Sequence, residues 1–161
     1  MGKILNLQKA KTTAQKINLQ KKSIVLAGGC FDILHIGHIK FLELARKKGD
    51  YLFILLESDE SVKKLKGEKR PINSQKDRAQ ILSALSFIDY IIPLNGIMES
   101  RDYDNLVENI RPKIIAVTKN DKALIHKQRQ AKKVNAKVVC VIERLEDKST
   151  TKFAKLISQD F

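Results

Sequence analysis

Two of the three histidines in the chain stand three residues apart in Gly28-Gly29-Cys30-Phe31-Asp32-Ile33-Leu34-His35-Ile36-Gly37-His38, together with three glycines and one aspartate. The stretch closes the apolar run that begins at Ser23 and precedes a helical pattern. Glycines at a strand end let a backbone approach a ligand closely, and the helix that follows offers unpaired N–H groups to an anion. His35 and His38 are spaced to present both imidazoles on one side of that helix start. An imidazole donates a hydrogen bond or carries positive charge near neutral pH. Phosphate is therefore the natural ligand, and stabilising charge that builds on it during transfer is the natural chemistry.

A second basic element lies at Lys66, Lys69 and Arg70. Joining two anions requires neutralised charge and an in-line geometry, and an arginine can grip two phosphate oxygens at once. This loop can clamp the acceptor phosphate or a triphosphate; the competing reading is a solvated charge run. Ser149 and Thr150 suit a helix N-cap, and the same free N–H groups suit a phosphate. Asp32 can orient a histidine, approach a magnesium-bound phosphate, or cap the next helix. His126, beside Lys127 and Arg129 in a polar helical stretch, is expected on the surface.

The elements that must position these residues follow from periodicity. Apolar residues Ile4, Leu7, Ala10, Ala14, Ile17 and Leu19 predict an amphipathic, basic N-terminal helix within residues 1–22. Strands are predicted at SIVLAGG from Ser23, YLFILLES from Tyr51, IDYIIPL from Ile88, KIIAVT from Lys113 and AKVVCVI from Ala136. Helical spacing recurs after the histidines up to Lys47-Lys48-Gly49, in a short segment before Gly67, and from Ser74, a plausible N-cap, to Phe87. Further helices are predicted at 102–109, 122–134 and 150–157. Alternating strands and helices imply right-handed βαβ units and a parallel sheet, with ligands at the carboxyl ends of its strands. The expectation is an α/β, doubly wound, five-stranded parallel sheet in a single domain spanning 23–161, preceded by the basic helix of 1–22.

Composition bounds the function. At 161 residues and 43% hydrophobic, the chain can bury one core. No apolar run approaches the roughly 20 residues that span a bilayer, and the lysine-rich N-terminus lacks the apolar block of a signal peptide. A cytoplasmic protein without a membrane partner is the expectation. Cys30 and Cys140 have no zinc-like or disulfide-framework spacing and read as small buried thiols. The net charge of +13 includes Lys3, Lys9, Lys11, Lys16, Lys21 and Lys22, with no acidic residue before Ser23. Aromatic residues are not interleaved with these lysines, so a solvated surface is a better reading than a nucleic-acid site.

The full string G-G-x-F-D-x-L-H-x-G-H after an apolar strand resembles the signature of the HxGH nucleotidyltransferase superfamily, the cytidylyltransferase-like enzymes. Leu65-Lys66-Gly67-Glu68-Lys69-Arg70-Pro71-Ile72-Asn73 resembles the LKG-x-x-RP-x-N loop of bacterial heptose 1-phosphate adenylyltransferases, and the following helix carries the matching Arg78. Ser149-Thr150-Thr151 is similar to their STT element. The resemblance implies a Rossmann-like sheet and magnesium-dependent transfer of a nucleoside monophosphate to a phosphorylated small molecule. Its implied catalytic residues are His35, His38, Lys66 and Arg70. Its implied nucleotide-binding residues are Gly29, Cys30, Phe31, Asp32, Arg78, Asp121, Ser149, Thr150 and Thr151, with no dedicated protein metal site. A homodimer is a further implication.

Two segments depart from the heptose pattern. Val117-Thr118-Lys119-Asn120-Asp121-Lys122 lacks the glycine and aromatic residue of the corresponding family turn, and keeps only Asp121 as its acidic position. Arg144, five residues before Ser149, matches the cytidylyltransferases instead. The leading expectation is ATP and a sugar phosphate such as heptose 1-phosphate, with CTP as the alternative nucleotide. Glycerol 3-phosphate cytidylyltransferase and an FAD synthetase-like adenylyltransferase are alternative enzymes. An inactive nucleotide- or RNA-binding protein is the alternative of another class.

Overall fold

The computed structural model describes residues 1–143. Six parallel strands form one sheet: β1 (Lys3–Ile4), β2 (Ile24–Gly29), β3 (Tyr51–Leu56), β4 (Tyr90–Pro93), β5 (Ile114–Thr118) and β6 (Lys137–Ile142), in the order β1-β4-β3-β2-β5-β6. The expected parallel sheet of five strands is present with one more at its edge. A two-residue pairing of Lys3 and Ile4 with Tyr90 and Ile91 is too short to leave an alternating pattern in the sequence.

The helices are α1 (Leu7–Leu19), α2 (Ile36–Arg46), α3 (Asp59–Lys66), α4 (Gln75–Ser83), α5 (Ser100–Ile110) and α6 (Leu124–Lys133). Strand residues alternate between two cores, as a pleated sheet requires. Leu26, Phe53, Leu55, Ile92 and Ile115 meet α1, α5 and α6 through Ala14, Ile17, Leu106, Val107, Ile110 and Ala131. Val25, Ala27, Leu52, Ile54, Leu56 and Ile91 meet α2 and α4 through Phe41, Leu42, Ala45, Ala79 and Leu82. Helices on both faces explain why β3 is a continuous apolar run.

Residues 1–22 join this body. Ala10, Ala14 and Ile17 of α1 are buried at i, i+4 and i+7, and the Asn18 side-chain amide donates to the Ile110 carbonyl at the end of α5 at 3.0 Å. Gly2 donates its backbone N–H to the Ser83 carbonyl, and a side chain there would press on the Ile88 carbonyl at 2.9 Å. Boundaries elsewhere shift by a few residues. Helix α4 stops at Ser83 rather than Phe87 because the Ala84, Leu85 and Ile88 amides turn back on carbonyls three residues earlier.

The chain steps outward from β2 through β3 to β4, then returns along α5 to β5 on the other side of β2. The reversal opens a crevice at the carboxyl ends of β2 and β5, where ligands of such sheets bind. Among the described residues, no helix is long and apolar enough to cross a membrane.

Candidate active site

The histidines lie at the β2 rim of this crevice. His35 is the N-cap of α2, its Nδ1 accepting the Gly37 N–H at 3.1 Å. A neutral imidazole that accepts at Nδ1 carries its proton at Nε2, so His35 is set as a donor at that atom. His38, one turn on, stacks on His35 with ring centroids 3.9 Å apart and also meets the edge of Phe31 at 5.3 Å. Burial pushes the His38 pKa down to about 4, with His35 adding to the effect and the Ile33 backbone carbonyl opposing it. Burial also lowers the His35 value. The unliganded pair is therefore neutral at pH 7, and a bound polyanion shifts both rings toward the charged form.

Gly29 and Phe31 shape the turn that leads into α2. Phe31 takes a left-handed backbone (φ 47°) and is buried, and its ring closes over Gly29 so tightly that a β-carbon there would sit 2.9 Å from it. Glycine at 29 is thus a matter of space. Cys30 is half-buried, and burial raises its thiol pKa, against the lowering effect of Lys66. Cys140, expected to be buried, is exposed on edge strand β6.

Asp32 is 2% exposed and faces the basic loop. Its carboxylate accepts the Ile72 N–H at 2.8 Å, the Asn73 N–H at 2.9 Å and the Arg70 Nε–H. Asn73 returns a side-chain bond to the Asp32 carbonyl at 2.8 Å. Burial alone would raise the Asp32 pKa, but the Asn73 and Ile72 amides and the Arg70 guanidinium outweigh it and hold the carboxyl below its ordinary value. Asp32 thus anchors loop 67–73 rather than touching a histidine. Arg70, expected to grip phosphate, commits its Nε to that anchor. Lys66 ends α3 on the exposed side of the loop, and its charge is felt by both His38 and Cys30.

Arg78 departs most from expectation. Read from the sequence as a nucleotide-binding residue, it is fully buried and donates to the carbonyls of Cys30, Asn73 and Glu57 and to the Asp59 carboxylate. A guanidinium has five N–H donors, and here they tie the ends of β2 and β3 to the basic loop. Its place is structural: it positions the rim.

Asp121 follows β5. Its two oxygens accept the Ala123 N–H and the Lys127 ammonium, each at 2.8 Å. The turn lacks glycine, and Asn120 supplies the left-handed residue (φ 60°), a conformation asparagine tolerates. His126 is exposed, as expected. Ser149, Thr150, Thr151, Arg144 and the helix expected at 150–157 lie outside the described residues.

Sequence reasoning passed over a group on the opposite side of the crevice. Glu57, directly after β3, accepts the Tyr103 hydroxyl at 2.7 and 2.9 Å from its two oxygens. Burial raises the Glu57 pKa, against hydrogen bonds from Tyr103 and Ser61 and the charges of Arg78 and Lys127. Burial and the Glu57 charge push the Tyr103 phenol up. An acid closing the apolar run YLFILL was the available signal; nothing local marks Tyr103. Among the described residues, no group of three or more His, Cys, Asp or Glu side chains could hold a metal ion.

Residues 26–157 match the model of the cytidylyltransferase-like family, and the chain belongs to that family of nucleotidyltransferase folds. Among curated relatives it is 44% identical over 138 residues to the bifunctional protein HldE of Campylobacter concisus, covering 85% of this chain and 27% of that protein. It is 37% identical over 148 residues to HldE of Nitratiruptor, covering 92% and 30%. The chain thus spans less than a third of the length of these HldE relatives. A lipopolysaccharide core biosynthesis protein from Thermoplasma volcanium superposes with TM-score 0.59 at 29% identity, covering 76% of this chain and 97% of that one. Pantoate-beta-alanine ligase from Francisella tularensis superposes with TM-score 0.66 at 13% identity, covering 99% and 78%, a likeness of fold.

Proposed function

We propose that the chain is an adenylyltransferase that moves AMP from ATP to a sugar phosphate such as heptose 1-phosphate. An acceptor phosphate oxygen bonds to the α-phosphorus of ATP, the bond from that phosphorus to its bridging oxygen breaks, and pyrophosphate leaves. The observation that carries this reading is the stacked His35–His38 pair at the N-terminus of α2. Neutral imidazoles at the positive end of a helix take up a polyanion and strengthen their hold as charge develops, which lowers the barrier to transfer. Lys66 adds an exposed cation at the end of α3, and Arg70 steadies the basic loop against Asp32. Gly29, Cys30 and Phe31 form the turn that leads from β2 to the histidines beside the nucleotide. Ser149, Thr150 and Thr151 keep their proposed role at the nucleotide phosphates, and Asp121 its place at the rim of the turn.

Magnesium fits this site as a companion of the triphosphate, because among the described residues no group of three or more His, Cys, Asp or Glu side chains could hold it on its own. Bound there it would neutralise phosphate charge. The name of the Thermoplasma protein, which assigns it to lipopolysaccharide core biosynthesis, supports a saccharide-derived acceptor. The test compares magnesium-dependent pyrophosphate release from ATP with heptose 1-phosphate and from CTP with glycerol 3-phosphate. Release confined to the first pair is expected. Release confined to the second would replace both nucleotide and acceptor, and silence in both with steeply salt-dependent RNA binding would favour a binding protein.

A further inference from the structure

The crevice is built from two chemically opposed sets of groups, and only one of them suits phosphate. Around α2 stand two imidazoles, the positive end of the helix and Lys66. Across β2 stand Glu57 and Tyr103, joined by Ser61 and by the Asp121–Lys127 pair. They come from five separate stretches of the chain, so local sequence does not explain why they meet. Glu57 occupies the rim next to Gly29, to whose carbonyl it donates its backbone N–H at 3.2 Å. Arg78 fixes it further by donating to its carbonyl at 2.9 Å. The side chain is thus held on a rigid base, next to the end of the strand that carries the histidine turn.

A carboxylate offers about four acceptor positions. One hydroxyl proton from Tyr103, shared between two oxygens, and one bond from Ser61 leave acceptor capacity, and Glu57 is only half-buried. An acceptor-only group repels phosphate and recruits O–H or N–H donors. Two features choose between these. Lys127 and Arg78 both lie close enough for their charges to act on Glu57, which disfavours a cationic amine there. Beside it, Tyr103 offers an oxygen acceptor and Lys127 a donor, the mixed set that hydroxyl groups satisfy.

We propose that Glu57 and Tyr103 form the acceptor-selecting end of the cleft, reading hydroxyl groups on the carbon skeleton of the phosphorylated acceptor. The assignment rests on the nucleotidyl-transfer reading for its place in a reaction and adds the side chains that recognise the hydroxyl groups of its polyhydroxylated acceptor. Recognition of a hydroxyl by a buried charged partner discriminates strongly against ligands that lack it, because the partner is then left unpaired.

The test is isothermal titration of the wild type, Tyr103→Phe and Glu57→Gln with heptose 1-phosphate, phosphocholine, inorganic phosphate and ATP. The wild type is expected to prefer heptose 1-phosphate to inorganic phosphate by tenfold or more, and each variant to lose about tenfold of that preference, with ATP affinity within about twofold. Tyr103→Phe keeps the ring that packs, and Glu57→Gln keeps the shape, so failure of one to fold leaves the other. Equal wild-type affinity for heptose 1-phosphate and inorganic phosphate, a preference for phosphocholine, or a preference unmoved in both variants would each overturn the proposal. The two readings separate in turnover. Transfer from ATP with an unchanged acceptor KM in both variants removes this site and leaves the transferase. A preference that falls in the variants without any transfer leaves the site and removes the transferase.

Discussion

The α2 side of the crevice and the Glu57 side differ in how they are made. His35, His38, Gly29 and Phe31 fall within ten residues, and one turn of backbone brings them together. Glu57, Tyr103 and Lys127 are brought together by β3, α5 and α6, which meet only because the chain crosses from β4 to β5 over one face of the sheet. The first side is cationic or readily made so, and the second carries a carboxylate. A local motif preserves a reaction centre shared by a family; a composite of distant elements can change without disturbing it. Between them, fully buried Arg78 holds both sides in register, and the Asp32 anchor steadies the basic loop on the α2 side.

Breaking the α2 side has the largest expected consequence. His38→Ala lowers turnover by about 10²- to 10⁴-fold while circular dichroism shows an intact fold, since the ring acts on charge in the transition state. Near wild-type turnover would show that the stacked pair is incidental. Breaking the shared support comes next. Arg78→Met leaves carbonyls at the ends of both β2 and β3 and in the basic loop without donors, and urea unfolding should show a loss of about 3–5 kcal/mol, with both nucleotide and acceptor binding impaired.

Asp32→Asn acts on one side only. It loosens the basic loop for a loss of about 1–3 kcal/mol. Because the folded carboxyl has a lowered pKa, its contribution is fully present above the ordinary carboxylate value and disappears as pH falls through the depressed one. The stability gap between wild type and Asp32→Asn in denaturant series should therefore close in acid; a gap unchanged with pH would contradict the anchor. Gly29→Ala, which forces the Phe31 ring off its seat, should cost about 1–3 kcal/mol, at the low end if the ring yields, as read from thermal unfolding.

A titration sharpens the comparison without altering the molecule. With its pKa near 4, His38 should remain neutral through pH 6 in NMR spectra of the free protein, and its midpoint should rise when ATP binds. The same depressed value means that stability from neutral His38 is complete above about pH 6.5 and declines as pH falls toward 4. A midpoint near 6.5 without ligand would show that the ring is not buried as described.

What the sequence disclosed follows the same division. The strand alternation, the parallel sheet and the histidine turn are local or periodic and could be read directly. The direction of Asp32 could not: it depends on Ile72 and Asn73, some 40 positions later, presenting amides to it. Arg78 is implied as a nucleotide-binding residue by the family resemblance alone; only the packing of three carbonyls around it reveals support for the rim. The missing glycine after β5 proved compatible with the turn because Asn120 takes the left-handed conformation. Glu57 left a trace in sequence, and its partner on α5 left none.

The central claim is transfer of a nucleotidyl group to an acceptor phosphate, and positionally labelled ATP tests it most directly. With heptose 1-phosphate and magnesium, label at the α-phosphorus is expected in a sugar nucleotide, and label at the γ-phosphorus in pyrophosphate, in equal amounts. Label moving from the γ-position onto the sugar, or none moving at all, would contradict the account.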